Sequence, residues 1–125
     1  MCYLDLNQFK QINDAHGHQA GDAILIHAAK AISAHIREAD MAARMGGDEF
    51  VILLDGVHDN IDVQHLTTQI CRAIALPLCW AEMQLRVSAS LGVAFYPHDG
   101  EELDELMPKA DSAMFMKKAA MLVLR

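Results

Sequence analysis

Arg44-Met45-Gly46-Gly47-Asp48-Glu49-Phe50, followed by the apolar run Val51-Ile52-Leu53-Leu54, decides how the rest of this chain is read. A Gly-Gly pair between two strand-like stretches predicts a tight hairpin, because glycine alone takes positive φ without steric cost. The bend also carries two acids, Asp48 and Glu49, at the hairpin's edge. With no Cβ on Gly46 or Gly47, a flat ligand can lie against the backbone. Carboxylates beside it can hold a hard cation such as Mg2+. Taken alone, the same residues also suit a plain surface turn.

Working outward, the chain of 125 residues, 53% apolar and 22% charged, reads as one globular domain over 1–125 with a single core. Its formal charge of −7 disfavours nonspecific nucleic-acid binding, which needs a basic surface. A phosphate ligand is still compatible, since a divalent ion and a few placed cations make a local positive site. Cys2, Cys71 and Cys79 form no Cys-x-x-Cys pair. That spacing argues against a disulfide framework or zinc site and fits a reducing cytoplasm. No apolar run approaches the roughly 18 residues of a membrane span, and no signal peptide is visible. The expectation is a cytoplasmic domain without direct membrane insertion.

Periodicity predicts a buried strand over 2–6 ending at Asp5, and a short helix over 8–15. A longer helix follows over 21–37, with Ile24, Ala28, Ile32 and Ile36 on one face. Residues 41–45 and 49–54 pair across the glycine bend. A helix over 61–75 (Val63, Leu66, Ile70, Ile74) stops before Pro77. Strand-like alternation lies within 85–96, with Leu91, Val93 and Phe95 on one face. A last helix over 101–118 buries Leu103, Leu106, Ala110 and Met114, and Met41, Met45, Met107 and Met114 read as core fillers. This order predicts an α+β fold, ferredoxin-like in plan (adenylyl-cyclase or palm-like), with helices flanking an antiparallel-containing sheet.

A second cluster runs Asp5-Leu6-Asn7-Gln8-Phe9-Lys10-Gln11-Ile12-Asn13-Asp14-Ala15-His16-Gly17-His18-Gln19-Ala20-Gly21-Asp22. An acid ending a buried strand is costly unless it has a partner. Asn13 offers donor and acceptor and Asp22 accepts paired N–H groups, which together suit guanine. Singly, each also suits a cap or turn. Lys10 and the first helix's backbone N–H groups can hold terminal phosphates. His16, His18, His27, His35, His58, His65 and His98 make no metal motif by spacing.

With both clusters in hand, the chain resembles the GGDEF-domain family, the diguanylate cyclases. The matching pieces continue through Arg37-Glu38-Ala39-Asp40, Val87-Ser-Ala-Ser90-Leu-Gly92 and Ala110-Asp111-Ser-Ala-Met114-Phe115. Together they cover nearly the whole chain. The resemblance implies condensation of two GTP molecules into cyclic di-GMP and two pyrophosphates, each ribose 3′-oxygen attacking the other's α-phosphate. It implies that Asp5, Asp48 and Glu49, with the Leu6 carbonyl, hold Mg2+ or Mn2+. One hairpin acid would also help deprotonate the attacking hydroxyl, and which one stays open. Asn13 and Asp22 would read guanine, Gly46 and Gly47 would line the nucleotide, and Lys10 and Lys118 would meet the β- and γ-phosphates. The resemblance further implies a homodimer for catalysis, a bacterial setting, and fusion or coupling to a sensory domain. Arg37 and Asp40 would form an inhibitory site for the product, or merely a local salt bridge.

Two departures from the family pattern stand out. The chain opens directly on the first strand, without the family's preceding helix. It also ends Ala119-Ala-Met-Leu-Val-Leu-Arg125, in place of a turn and final strand, with Leu122 where a second phosphate-binding cation is expected. The alternative reading is therefore a weak or inactive regulatory module that binds GTP or cyclic di-GMP, with a pure dimerisation scaffold behind it.

Overall fold

The chain turns where its glycines and the ends of its apolar periods dictate. The computed structural model describes residues 1–57 and 60–124, with side chains through residue 119; His58 and Leu122's side chain lie outside that description. In chain order the elements are β1 (Cys2–Asn7), α1 (Phe9–His16), α2 (His18–His35), β2 (Met41–Gly46) and β3 (Glu49–Leu53). Then come α3 (Asn60–Ile74), β4 (Leu78–Trp80), β5 (Met83–Leu85), β6 (Ser88–Val93) and α4 (Leu103–Leu124). The main sheet has the order β2-β3-β1-β6 with every neighbouring pair antiparallel, which is the predicted ferredoxin-like plan.

Period 2 along the central strand sorts its side chains between two layers. Cys2, Leu4 and Leu6 face a core built with Ile12 of α1, Ile24, Ala28 and Ile32 of α2, Ile70 and Ile74 of α3, and Phe50 and Ile52 of β3. Tyr3 faces the opposite layer, where it packs with Val51, Ala94 and the α4 residues Leu106, Ala110 and Met114. That second layer depends on Gly92. A Cβ there would stand 2.2 Å from both the Ala110 carbonyl oxygen and the Met114 amide nitrogen, so α4 lies directly on the β6 backbone.

Two expectations need correction, and one element was not foreseen. Met41 and Met45 are 62% and 52% exposed rather than core, because β2 is the outer strand and all six of its residues are exposed. Leu103 is 53% exposed, since it opens α4 before the helix reaches the sheet. The apolar stretch after Pro77 forms its own hairpin, β4 with β5, turning at Ala81 and Glu82 with φ of 49° and 64°. Neither residue is the glycine or asparagine that usually marks such a turn, which is why the sequence did not reveal it.

Candidate functional site

Helix spacing sets the first half of the site. Leu106, Ala110, Met114 and Lys118 recur at i+4, so the stripe that packs α4 onto the sheet carries Lys118 to the sheet surface. There its Nζ donates to Asp5 Oδ2 at 2.7 Å. Strand spacing supplies the rest. Asp5 shares a face with Tyr3, and stands opposite Glu49 on β3 and Ser90 on β6. The face is apolar at Tyr3, Gly92 and Ala94 and turns polar from Asp5 onward. There Ser90 Oγ donates to Asn7 Oδ1 at 3.1 Å, and Asn7 Nδ2 donates to Ser88 Oγ at 2.9 Å.

The hairpin brings its acids to this polar end. β2 extends through Gly46, so the bend itself is Gly47–Asp48, one residue later than the Gly-Gly pair predicts. Gly46 and Gly47 have φ of 143° and 52°. A Cβ on either would meet no protein atom within 4 Å, so backbone conformation rather than crowding asks for glycine. The space above them is open to a ligand. Arg44 Nε closes the bend on the Gly47 carbonyl at 3.0 Å, and the Asp48 carbonyl accepts from the Leu6 amide at 3.0 Å. That last bond ties the hairpin tip to the end of β1.

Asp48 and Asp5 are close enough to interact. Burial, and then the Asp5 carboxylate, push the Asp48 carboxyl above the usual range, and Lys118 only partly offsets this. Asp5 Oδ1 is buried with no hydrogen-bond partner. Both observations describe carboxylates short of positive charge, which fits a hard cation bound among them. Among the described residues, however, no three His, Cys, Asp or Glu side chains are gathered as a ready ion cage. Glu49 is turned to Tyr3, whose hydroxyl donates to Glu49 Oε2 at 2.8 Å. That bond, with burial, pushes the Tyr3 phenol up to about 12. Tyr3 was missed in the sequence reading, although its position two residues before Asp5 already put it on the acid's face.

The two residues expected to read guanine lie on either side of the α1–α2 junction, Asn13 on α1 and Asp22 on α2. Gly17, with φ of 92°, breaks the two helices apart. Asn13 then packs its side chain against Gly21, where a Cβ would fall 1.8 Å from Asn13 Oδ1. That oxygen is buried without a partner, and exposed Asp22 follows Gly21 directly. Lys10 is exposed on α1.

Arg37 and Asp40 form a closed turn. Arg37 donates to Asp40 Oδ2 from its backbone N at 2.7 Å and from Nε at 3.3 Å, and from Nη2 to Oδ1 at 3.2 Å. The Asp55 amide donates to Asp40 Oδ1 at 2.9 Å, and Arg37 Nη2 returns a bond to the Asp55 carbonyl. The Asp40 side chain is 1% exposed and that of Arg37 61%. Burial alone would raise the Asp40 carboxyl, but the guanidinium and the two backbone donors hold it below the usual range. Asp55 had no role in the sequence reading.

A ferredoxin-like sheet with an acidic glycine hairpin meeting a strand-end aspartate defines a narrow class of proteins. The family model described as "Diguanylate cyclase, GGDEF domain" matches residues 1–122, and the chain belongs to the GGDEF-domain family. It is 42% identical over 118 residues to the bifunctional diguanylate cyclase/cyclic di-GMP phosphodiesterase MucR of Pseudomonas aeruginosa, covering 94% of this chain and 17% of that protein. The diguanylate cyclase TpbB of the same species is 34% identical over 119 residues, with 94% and 27% covered. The chain thus spans about a quarter or less of the length of these two curated relatives. Among solved structures, the GGDEF domain of TpbB superposes with a TM-score of 0.91 at 33% identity, covering 95% of this chain and 70% of that one. The GGDEF domain of DgcB from Caulobacter crescentus, solved in complex with c-di-GMP, superposes at 0.85 with 26% identity, covering 95% and 71%. Among the described residues no helix is long and apolar enough to cross a membrane.

Proposed function

We propose that this chain is a diguanylate cyclase domain that joins two GTP molecules into cyclic di-GMP. The observation carrying this reading is the meeting of Asp5, Asp48 and Lys118 at the hairpin: crowded carboxylates and a phosphate-type cation at one point. Asp5, Asp48 and Glu49, with the Leu6 carbonyl, would hold Mg2+ or Mn2+, which neutralises charge accumulating on the α-phosphate oxygens. Asn13 and Asp22 grip the guanine edge. Lys10 and Lys118 bind the outer phosphates, so Lys118 leaves Asp5 when nucleotide arrives. One hairpin acid takes the proton from the ribose 3′-hydroxyl. The resulting oxygen attacks the α-phosphorus of the facing nucleotide and expels pyrophosphate, and the reciprocal attack closes the ring. Each subunit seats one GTP, so catalysis requires two copies facing each other.

Within the same proposal, the cyclic product binds back at Arg37 and Asp40 and inhibits. The exposed guanidinium supports this, since it can fork onto a phosphate or a guanine acceptor. Isothermal titration of cyclic di-GMP into wild type and Arg37→Ala tests it; equal affinities remove product binding from the account.

The activity itself is tested by incubating the protein with GTP and Mg2+ and measuring cyclic di-GMP by chromatography. Product from wild type, reduced by at least about 100-fold in Asp48→Ala, supports the cyclase. The competing reading is a module that binds without turnover. It is favoured by Asp5 being paired with Lys118 within the protein, and a rise in melting temperature with GTP but no product would establish it.

A further inference from the structure

We infer that Tyr3 is a positioning residue for Glu49, setting the carboxylate where it can join Asp5 around a divalent ion. This rests on the metal reading of that corner given above. Tyr3 is anchored on the central strand, with its ring buried between Val51 and the α4 residues Leu106, Ala110 and Met114. Its hydroxyl is therefore delivered to a fixed place, and at that place it donates to Glu49 Oε2 at 2.8 Å. Glu49 stands directly across from Asp5 in the strand register. The nearby ammonium, Lys118, is already committed to Asp5. Without the tyrosine hydroxyl, Glu49 faces a second carboxylate with no donor to hold it, and repulsion turns it toward solvent.

A carboxylate has two oxygens and about four acceptor sites, so one bond from Tyr3 orients it without using it up. A neutral phenol also leaves the charge on Glu49, as a metal ligand requires. Outer partners of this kind fix ligand rotamers, and their loss typically costs about 10- to 100-fold in metal affinity. The plainer reading is that Tyr3 is a strand aromatic whose hydroxyl has merely found an acceptor. Tyr3→Phe keeps the ring and its packing, and so separates the two.

The experiment is Mn2+ binding to the nucleotide-free protein, followed by loss of the free-ion electron paramagnetic resonance signal. The series is wild type, Tyr3→Phe, Glu49→Ala and the double variant, with melting temperatures in EDTA alongside. The expected result is a roughly tenfold weaker affinity for Tyr3→Phe, a metal-free melting temperature close to wild type, and no further loss when Tyr3→Phe is added to Glu49→Ala. Unchanged or tighter Mn2+ binding in Tyr3→Phe overturns the positioning role while leaving the metal site standing. So does an equal loss in the Glu49→Ala background, because Tyr3 would then not act through Glu49. Wild type that fails to bind Mn2+ overturns the metal reading itself, and the inference with it.

Discussion

Two turns of this molecule each fix an aspartate, and they treat it in opposite ways. At the Arg37–Asp40 turn the carboxylate receives the guanidinium and the backbone amides of Arg37 and Asp55, and its acidity is strengthened. At the hairpin, Asp48 is pressed against Asp5, whose Oδ1 has no partner, and its acidity is weakened. The first corner satisfies its carboxylate while joining the end of α2 to the loop after β3, and it leaves the Arg37 side chain exposed. The second leaves a buried carboxylate oxygen without a donor beside a carboxyl whose acidity is weakened. Native proteins keep buried polar atoms satisfied almost everywhere, so the unpartnered Asp5 oxygen is the feature at the hairpin that calls for an explanation.

The largest expected structural effect comes from lifting α4, which carries Lys118 to the hairpin corner, off the sheet. Gly92→Ala pushes a Cβ into two backbone atoms at 2.2 Å, so α4 must lift. Overpacking of this sort costs about 1–3 kcal/mol, read from the urea midpoint. Because Lys118 rides on the same stripe, KM for GTP should rise as well. A variant with wild-type stability would show that α4 does not depend on this close approach.

A smaller effect is expected at the Arg37–Asp40 corner. Asp40→Ala should cost about 1–2 kcal/mol, since it removes bonds to a charged acceptor on a turn. The pH dependence has a definite sign. The folded carboxyl titrates below its usual value of 3.8, so its contribution is full above that value and disappears as pH falls through the lower folded value. Urea titrations across the acid range should therefore show a steeper stability loss below about pH 4 in wild type than in Asp40→Asn. Parallel curves would mean that the turn does not depend on charge.

Much of this contrast was legible in the sequence, for reasons that can be named. The succession of strands and helices, the β4–β5 hairpin apart, followed from short apolar periods separated by helix-period stretches. The acids Asp5, Asp48 and Glu49 stood out because each sits at the end of a buried run, where charge is otherwise unwelcome. Three features were hidden because they depend on contacts between distant segments. Asp55 enters the Asp40 turn through backbone atoms, which carry no sequence signature. Tyr3 reads as an ordinary strand aromatic until β3 brings Glu49 beside it. Met41 and Met45 read as core until the sheet order leaves β2 on the edge. Lys118 could have been traced further, because the i+4 series from Leu106 already aims it at the sheet.

The central claim is that the hairpin carboxylates are held short of a cation, and one comparison of melting temperatures tests it: wild type and Asp48→Asn, each in EDTA and then with Mg2+ and GTP together. Removing one crowded charge should make metal-free Asp48→Asn melt above metal-free wild type. Addition of Mg2+ and GTP should then raise wild type and leave Asp48→Asn nearly where it was. If Asp48→Asn melts lower in EDTA, or both proteins gain equally from the ligands, the hairpin is a structural turn and the account of the site is wrong.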